Sequence, residues 1–152
     1  MVNFFDVLGI SPGYKIDEKA LLENYLKNQR LVHPDIGEFS SNESALLNAA
    51  YNTLSDPVTR AMHLLEIRER NADFMAPEFA AEAFNLREKY DSLRSSEDKN
   101  KFYNELSERI LVLTRMLYDF EDNLDEFQKY FGLLRFISSF LQKVRSDVYG
   151  GN

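Results

Sequence analysis

The sequence predicts an all-α protein made of two helical units. Apolar residues recur at spacings of three and four along most of the chain, which is typical of helices with one buried face. Signals of β-strands, such as β-branched residues alternating with polar ones and Asn-Gly hairpin turns, are missing from the sequence. The 152 residues suit one ordinary domain or two small ones. A charge-rich stretch at 66–73 forms the boundary, so we expect units at 1–72 and 73–152.

Capping residues and turns mark the helices of the first unit. Asn3 caps a short first helix, and Asp17 is a good cap for a second. Pro34 ends this second helix, because the residue before a proline is pushed out of the α region. A polar loop is predicted at 35–42.

Two further helices complete the predicted first unit. The third is expected at about 43–54, and the fourth begins with Asp56 as cap and Pro57 at the first helical position. The apolar residues of the second, third and fourth helices are expected to face the core of this unit: Leu21, Leu22, Tyr25, Val32, Leu46, Leu47, Ala50, Tyr51, Leu54, Val58, Ala61, Met62, Leu64 and Leu65.

Three longer helices are predicted for the second unit, where short connections favour an antiparallel bundle. Pro77 opens the first of them, and the second runs from 97 to about 120 behind a cap at Ser95-Ser96. An acidic turn at 119–125 precedes the third, which ends near Val148. Their core stripes consist of Phe79, Ala83, Leu86, Tyr90 and Leu93, then Leu106, Ile110, Leu113 and Leu117, then Tyr130, Leu134, Ile137, Leu141 and Val144.

Composition excludes several classes of function. The chain has no cysteine, which excludes disulfides, thiol catalysis and iron–sulfur clusters ligated by this protein. Its 18 basic and 25 acidic residues give a net charge of −7, a sign that repels nucleic acid and anionic lipid. No apolar run approaches the roughly 20 residues of a membrane span. We therefore expect a cytoplasmic protein with no nucleic-acid partner and no membrane partner.

The two histidines stand in different contexts. His63 lies inside the predicted fourth helix with no set of ligands nearby, so a packed helical histidine is expected. His33 opens the sequence His33-Pro34-Asp35, hereafter the His-Pro-Asp motif, directly after a capped helix. A helix terminator followed by a turn-forming aspartate would explain the motif structurally. No metal site, cofactor site or catalytic residue is expected, since EF-hand spacing, Gly-rich phosphate loops and nucleophile elbows are all missing.

The segments on either side of the His-Pro-Asp motif resemble those of a known protein family. The sequence FFDVLGI (4–10) precedes the second helix, and NAAYNTLSDP (48–57) follows the motif. This order resembles the J-domain of DnaJ-type co-chaperones, and the continuation RAMHLL (60–65) resembles the HscB branch in particular. The second unit resembles the carboxy-terminal bundle of that branch, for example at LLRF (133–136). The resemblance implies a J-domain followed by a three-helix, scaffold-binding bundle.

The resemblance implies a chaperone as the first partner. J-domains dock on an HscA/DnaK-type ATPase and accelerate its ATP hydrolysis. The His-Pro-Asp motif is then the trigger, with Asp35 expected to meet an arginine of the chaperone. Basic residues of the second helix are expected to meet an acidic surface of the chaperone: Lys19, Lys27 and Arg30. This helix is less basic than is usual in the family, and Asn28 and Gln29 stand where an apolar residue is common.

An IscU-type scaffold, on which iron–sulfur clusters are assembled, is the second partner that the resemblance implies. Helical phase supports this independently, because Phe84 points about 140° away from the core stripe of its helix and Glu88 about 180° away. The positions that match the scaffold site of the family are Ala80, Ala81, Phe84, Asn85, Glu88 and Phe136. Phe136 flanks the core stripe of its own helix, so a packing role stays open for it.

The preferred interpretation is a non-enzymatic co-chaperone of iron–sulfur cluster assembly that stimulates the chaperone ATPase and delivers the scaffold to it. A J-protein serving a different client is the alternative within the same class. A small helical hydrolase using His33 and Asp35 is a rival from another class, and it lacks a placed nucleophile. A purely structural bundle is the third possibility.

Overall fold

The computed structural model describes residues 1–32 and 38–150, with side chains described from residue 42 onward in the second range. The described residues form seven helices and no strand. The helices are α1 (Phe4–Val7), α2 (Glu18–Leu31), α3 (Glu38–Ser55), α4 (Pro57–Ile67), α5 (Pro77–Ser92), α6 (Ser96–Asp119) and α7 (Leu124–Tyr149). The prediction of an all-α fold is confirmed. None of the described helices is long and apolar enough to cross a membrane.

The chain divides into two compact units, Met1–Arg70 and Asn71–Asn152. The first unit contains α1 to α4 and the second contains α5 to α7. Each unit encloses its own apolar residues, so each is described by itself.

Side-chain caps fix the helix starts of the first unit where the sequence predicts them. The Oδ1 atom of Asn3 accepts the backbone N–H of Phe5 at 2.9 Å. Asp17 accepts two backbone N–H groups at the start of α2, and Asp56 does the same at the start of α4. These bonds satisfy donors that the first turn of a helix leaves unpaired.

A buried arginine joins α4 to the rest of the first unit. Arg60 is 0% exposed, and its Nη1 donates to the backbone oxygen of Leu54 at 2.8 Å. Its guanidinium lies 5.0 Å from the centre of the Tyr14 ring. The surrounding core consists of Phe5, Leu8, Leu21, Leu47, Ala50, Ala61, Leu64 and Leu65. A charged group is tolerated in this core because it is paired with a carbonyl and an aromatic face.

Two predictions for the first unit are wrong. α3 begins at Glu38, so residues 38–42 are helical and are not part of a loop. This stretch lacks Gly and Pro, and the helix propensities of its serines and Asn42 are only modestly below that of alanine. Leu22 and Leu46 do not face the core and are 43% and 39% exposed. Each lies one position, or about 100°, from a buried leucine on its own helix.

The second unit is the predicted three-helix bundle. α6 and α7 pack along each other, and α5 packs on α7. Gly132 allows a close approach of the segment before α5, because a Cβ atom there would lie 2.1 Å from the backbone oxygen of Phe74. The interior consists of Phe102, Leu106, Leu113, Leu117, Phe127, Phe131, Leu133, Leu134, Ile137, Phe140 and Val144.

Candidate functional site

The basic residues predicted on α2 lie on one exposed face. Lys19, Lys27 and Arg30 are all exposed. At about 100° per residue they fall within roughly 80° of one another around the helix axis. The structure therefore brings the three cations together on one side of the first unit.

The His-Pro-Asp motif, residues His33, Pro34 and Asp35, lies outside the described residues. The last residue of α2 is Leu31, and the backbone N–H of Val32 donates to the carbonyl of Asn28 at 3.2 Å as the helix ends. The role of the motif as the trigger stays a prediction.

A polar network joins α2 to α3, and sequence reasoning missed it. The Nε2 atom of Gln29 donates to Oδ1 of Asn48 at 2.9 Å, and the hydroxyl of Ser44 donates to Oε1 of Gln29 at 2.8 Å. Tyr25 donates its hydroxyl to the same Asn48 oxygen, and its ring stacks on Tyr51 with centroids 4.4 Å apart. The side-chain amide of Gln29 therefore fastens the two helices to each other. The spacing of four between Tyr25 and Gln29, and between Ser44 and Asn48, is the signal that could have revealed the network.

His63 is the packed helical histidine that the sequence predicts. Its Nε2 atom accepts the backbone N–H of Phe4 at 3.0 Å, and its ring stacks on the Phe4 ring at 4.7 Å. Burial lowers the pKa of His63, and the nearby Glu66 carboxylate raises it to a smaller extent. The neutral imidazole therefore serves as an acceptor that holds α1 against α4.

The outer face of α5, defined here as Ala80, Ala81, Phe84, Asn85 and Glu88, is exposed throughout. Phe84 is 62% exposed. The opposite side of the helix carries Ala83 and Tyr90, which are buried. The phase argument from the sequence is confirmed for the exposure of this face, while its role in binding stays a prediction.

Phe136 of α7 is connected to α5 by the side chain of Arg87, a residue that the sequence analysis does not include in the scaffold site. The Phe136 ring is half-buried and stacks on Phe140 at 5.7 Å. The guanidinium of Arg87 covers it, 4.9 Å from the ring centre. Arg87 follows Phe84 by three positions on α5, so it stands between Phe136 and the outer face. Both roles that the sequence left open for Phe136, packing and a place beside the α5 face, agree with this geometry.

Ion pairs flank α5 on both sides. Glu82 pairs with Arg109 of α6 at 2.9 Å, and Lys89 pairs with Glu105 of α6 at 2.8 Å. Glu78 pairs with Lys129 of α7, and this hydrogen bond lowers the pKa of the Glu78 carboxyl. These pairs join α5 to α6 and to α7.

Tyr90 is the largest buried anchor of α5. Its ring lies 5.6 Å from Phe102 and 5.7 Å from Phe140, and its hydroxyl donates to Oδ2 of Asp147 at 2.6 Å. Burial raises the pKa of Tyr90 to about 12, and the hydrogen bond to Asp147 adds to the effect. The neutral phenol therefore holds α5 against both other helices of the bundle.

Three solved structures share this fold. The human co-chaperone HscB superimposes with a TM-score of 0.85 at 22% identity, over 99% of this chain and 84% of that one. The Jac1 co-chaperone of Saccharomyces cerevisiae gives 0.80 at 19% identity, over 96% of this chain and 94% of that one. The chaperone HscB of Vibrio cholerae superimposes with a TM-score of 0.75 at 21% identity, over 96% of this chain and 97% of that one. The fold is that of the HscB and Jac1 co-chaperones.

Sequence relatives identify the family. The HscB homologue of a Shewanella species is 31% identical over 118 residues, which is 69% of this chain and 68% of that protein. The homologue of Aliivibrio salmonicida is 30% identical over 127 residues, or 75% and 74%. No protein-family model matches the chain. The chain belongs to the HscB family of co-chaperones, and its function is that of a co-chaperone in iron–sulfur cluster assembly.

Proposed function

We propose that this protein is a non-enzymatic adaptor with two ends. One end, formed by α2 and the His-Pro-Asp motif, docks on an HscA/DnaK-type chaperone and stimulates its ATPase. The other end, formed by the outer face of α5, holds an IscU-type scaffold. Bringing a client and an ATPase together on one chain raises their effective concentration, so delivery and hydrolysis become coupled.

The exposed cations of α2 support the chaperone end. Lys19, Lys27 and Arg30 point away from the core of a chain whose net charge is −7. Such a local concentration of positive charge favours an acidic partner surface and speeds the encounter with it. The network around Gln29 supports the same role, because it fastens α2, which precedes the motif in the sequence, to α3, which follows it.

The exposure of Phe84 is the main observation that supports scaffold binding by the outer face of α5. A phenylalanine that is 62% exposed on a helix already anchored by Tyr90 contributes little to the bundle. Large aromatic side chains supply much of the binding energy of protein interfaces when a partner buries them. The small neighbours Ala80 and Ala81 leave the ring accessible, while Asn85 and Glu88 offer polar contacts at its rim.

The test is steady-state ATP turnover by an HscA-type chaperone, with this protein and an IscU-type scaffold added singly and together. We expect each to stimulate weakly and the two together to stimulate more than additively. His33→Gln removes the trigger and should abolish stimulation by this protein. Phe84→Ala should leave stimulation by this protein alone intact and remove the synergy with the scaffold.

Leu111→Ala is the matched control for Phe84→Ala. Leu111 is 68% exposed on α6 of the same unit, and it lies outside the α5 face. It should behave as wild type. Stimulation that ignores both the scaffold and Phe84 would instead indicate a J-protein with a different client. An intrinsic turnover without chaperone that His33→Gln abolishes would indicate the hydrolase, and no stimulation at all would overturn the proposal.

A further inference from the structure

The cationic face of α2 also carries two exposed leucines. Leu22 is 43% exposed and Leu26 is 47% exposed, and they stand four positions apart. These two leucines are not part of the core, since the buried residue of this helix is Leu21. Leu22, which the sequence predicts to be in the core, lies instead on the surface of the first unit.

The leucines and the cations share one arc of the helix. At about 100° per residue, Leu22 and Leu26 form one side of an arc of roughly 140°. Lys27 forms the other side, and Lys19 and Arg30 lie between them. Glu23 is the one acidic residue within the arc, so the surface combines an apolar edge with a net positive charge.

The cations of this arc are available to a partner. Among the described residues, no ion pair is formed by Lys19, Lys27 or Arg30. By contrast, Arg109 and Lys129 each form an ion pair with a carboxylate of α5. An exposed apolar pair beside these cations has the arrangement of a protein-binding surface, in which apolar side chains become buried at the centre and charges remain at the rim.

We infer that Leu22 and Leu26 are apolar anchors of the chaperone contact and that they insert into an apolar depression at the edge of an acidic surface. The inference rests on the proposed function, because the occupant is the ATPase that the same helix faces. Charge complementarity selects an acidic partner, and the leucines add affinity that salt does not screen.

Salt separates the two contributions. The screening length falls from about 10 Å at 0.1 M salt to about 3 Å at 1 M, which weakens contacts between exposed charges and leaves apolar burial intact. The measurement is the concentration of this protein that gives half-maximal stimulation of the chaperone ATPase at both salt concentrations. The double variant Leu22→Ser/Leu26→Ser should raise that concentration about tenfold at either salt, the size expected for losing one anchor contact.

Two matched variants complete the experiment. Lys27→Gln/Arg30→Gln should raise the half-maximal concentration at low salt and have little effect at high salt. Leu111→Ser/Val112→Ser removes an apolar pair of α6 whose side chains are 68% and 48% exposed, and it should leave the half-maximal concentration unchanged. Circular dichroism and thermal unfolding verify that the leucine variant is folded.

The outcomes distinguish failure of this inference from failure of the proposed function. If His33→Gln abolishes stimulation while the leucine variant behaves as wild type, Leu22 and Leu26 do not anchor the chaperone contact, and the proposed function stands. If the wild-type protein does not stimulate the chaperone, both are overturned. If the leucine variant changes only self-association in sedimentation, the two leucines face a second copy of this chain and the inference is overturned.

Discussion

The helices that carry the two candidate faces are held by different kinds of contact. α2 is fastened to α3 by neutral groups: the amide of Gln29 bonded to Ser44 and Asn48, and the stacked rings of Tyr25 and Tyr51. α5 is held by the buried Tyr90, by the contact of the Phe79 ring with Tyr130, and by ion pairs on its flanks. These contacts of α2 are between neutral groups, which salt does not screen, whereas part of the attachment of α5 is electrostatic.

The largest expected effect is at the anchor of α5. Tyr90→Ala removes a ring packed on Phe102 and Phe140, and we expect it to destabilise the second unit by about 3–5 kcal/mol, as for other buried aromatic truncations. Tyr90→Phe keeps the ring and loses only the hydrogen bond to Asp147, so it should cost about 1 kcal/mol. Denaturant unfolding measures both. Equal losses for the two variants would show that the hydroxyl, and not the ring, is the anchor.

The polar network of α2 should give the next effect. Gln29→Ala removes the shared partner of Ser44 and Asn48, and we expect a loss of about 1–2 kcal/mol from the first unit. Hydrogen exchange of the α2 and α3 amides is the measurement, since it resolves this unit from the other. Asn28→Ala, at the neighbouring half-exposed position, is the control and should change exchange less. A Gln29→Ala protein with unchanged exchange in α2 would contradict the role given to the network.

The two units should also respond differently to acid. The pKa of His63 in the folded protein is lowered from 6.5, so its contribution to stability is complete above that value. As pH falls from 6.5 toward the folded pKa, the unfolded chain binds the proton first and the first unit loses stability. Exchange of the α1 and α4 amides measures this effect. A His33→Gln background leaves His63 as the only titrating imidazole. Identical pH dependence in both units would be the contrary result.

The smallest expected effect concerns the ion pair between Glu82 and Arg109. Both side chains are 34% exposed, so solvent screens their attraction. A double-mutant cycle with Glu82→Gln and Arg109→Gln should give a coupling free energy of about 1 kcal/mol or less, and added salt should reduce it. The pair Glu97 and Lys101, exposed on α6, is the reference and should couple more weakly. A strong coupling that salt does not change would mean the pair is effectively buried.

The difference between these helices also shows what a sequence can reveal. Caps such as Asn3, Asp17 and Asp56 were predictable because their bonds lie within three residues. The exposure of Phe84 was predictable because the stripe opposite it is regular. Local pattern therefore specifies most of the helices and one of the two faces.

Contacts between distant segments could not be predicted in the same way. The burial of Arg60 depends on a carbonyl in α3 and a ring in the loop before α2, and nothing in its neighbours along the chain marks it. The exposure of Leu22 and Leu46 also follows from tertiary packing. Helical periodicity places a residue only to within about one position, or 100°, and packing decides which neighbour is buried.

The central claim is that the two faces act as separate ends of one adaptor, and a crossed binding measurement tests it most directly. Calorimetric titration with an IscU-type scaffold and ATP turnover of an HscA-type chaperone without scaffold are measured for Phe84→Ala and for His33→Gln. We predict that Phe84→Ala weakens scaffold binding and keeps the stimulation, while His33→Gln binds scaffold normally and loses the stimulation. A variant that loses both activities while remaining folded would contradict two separate ends.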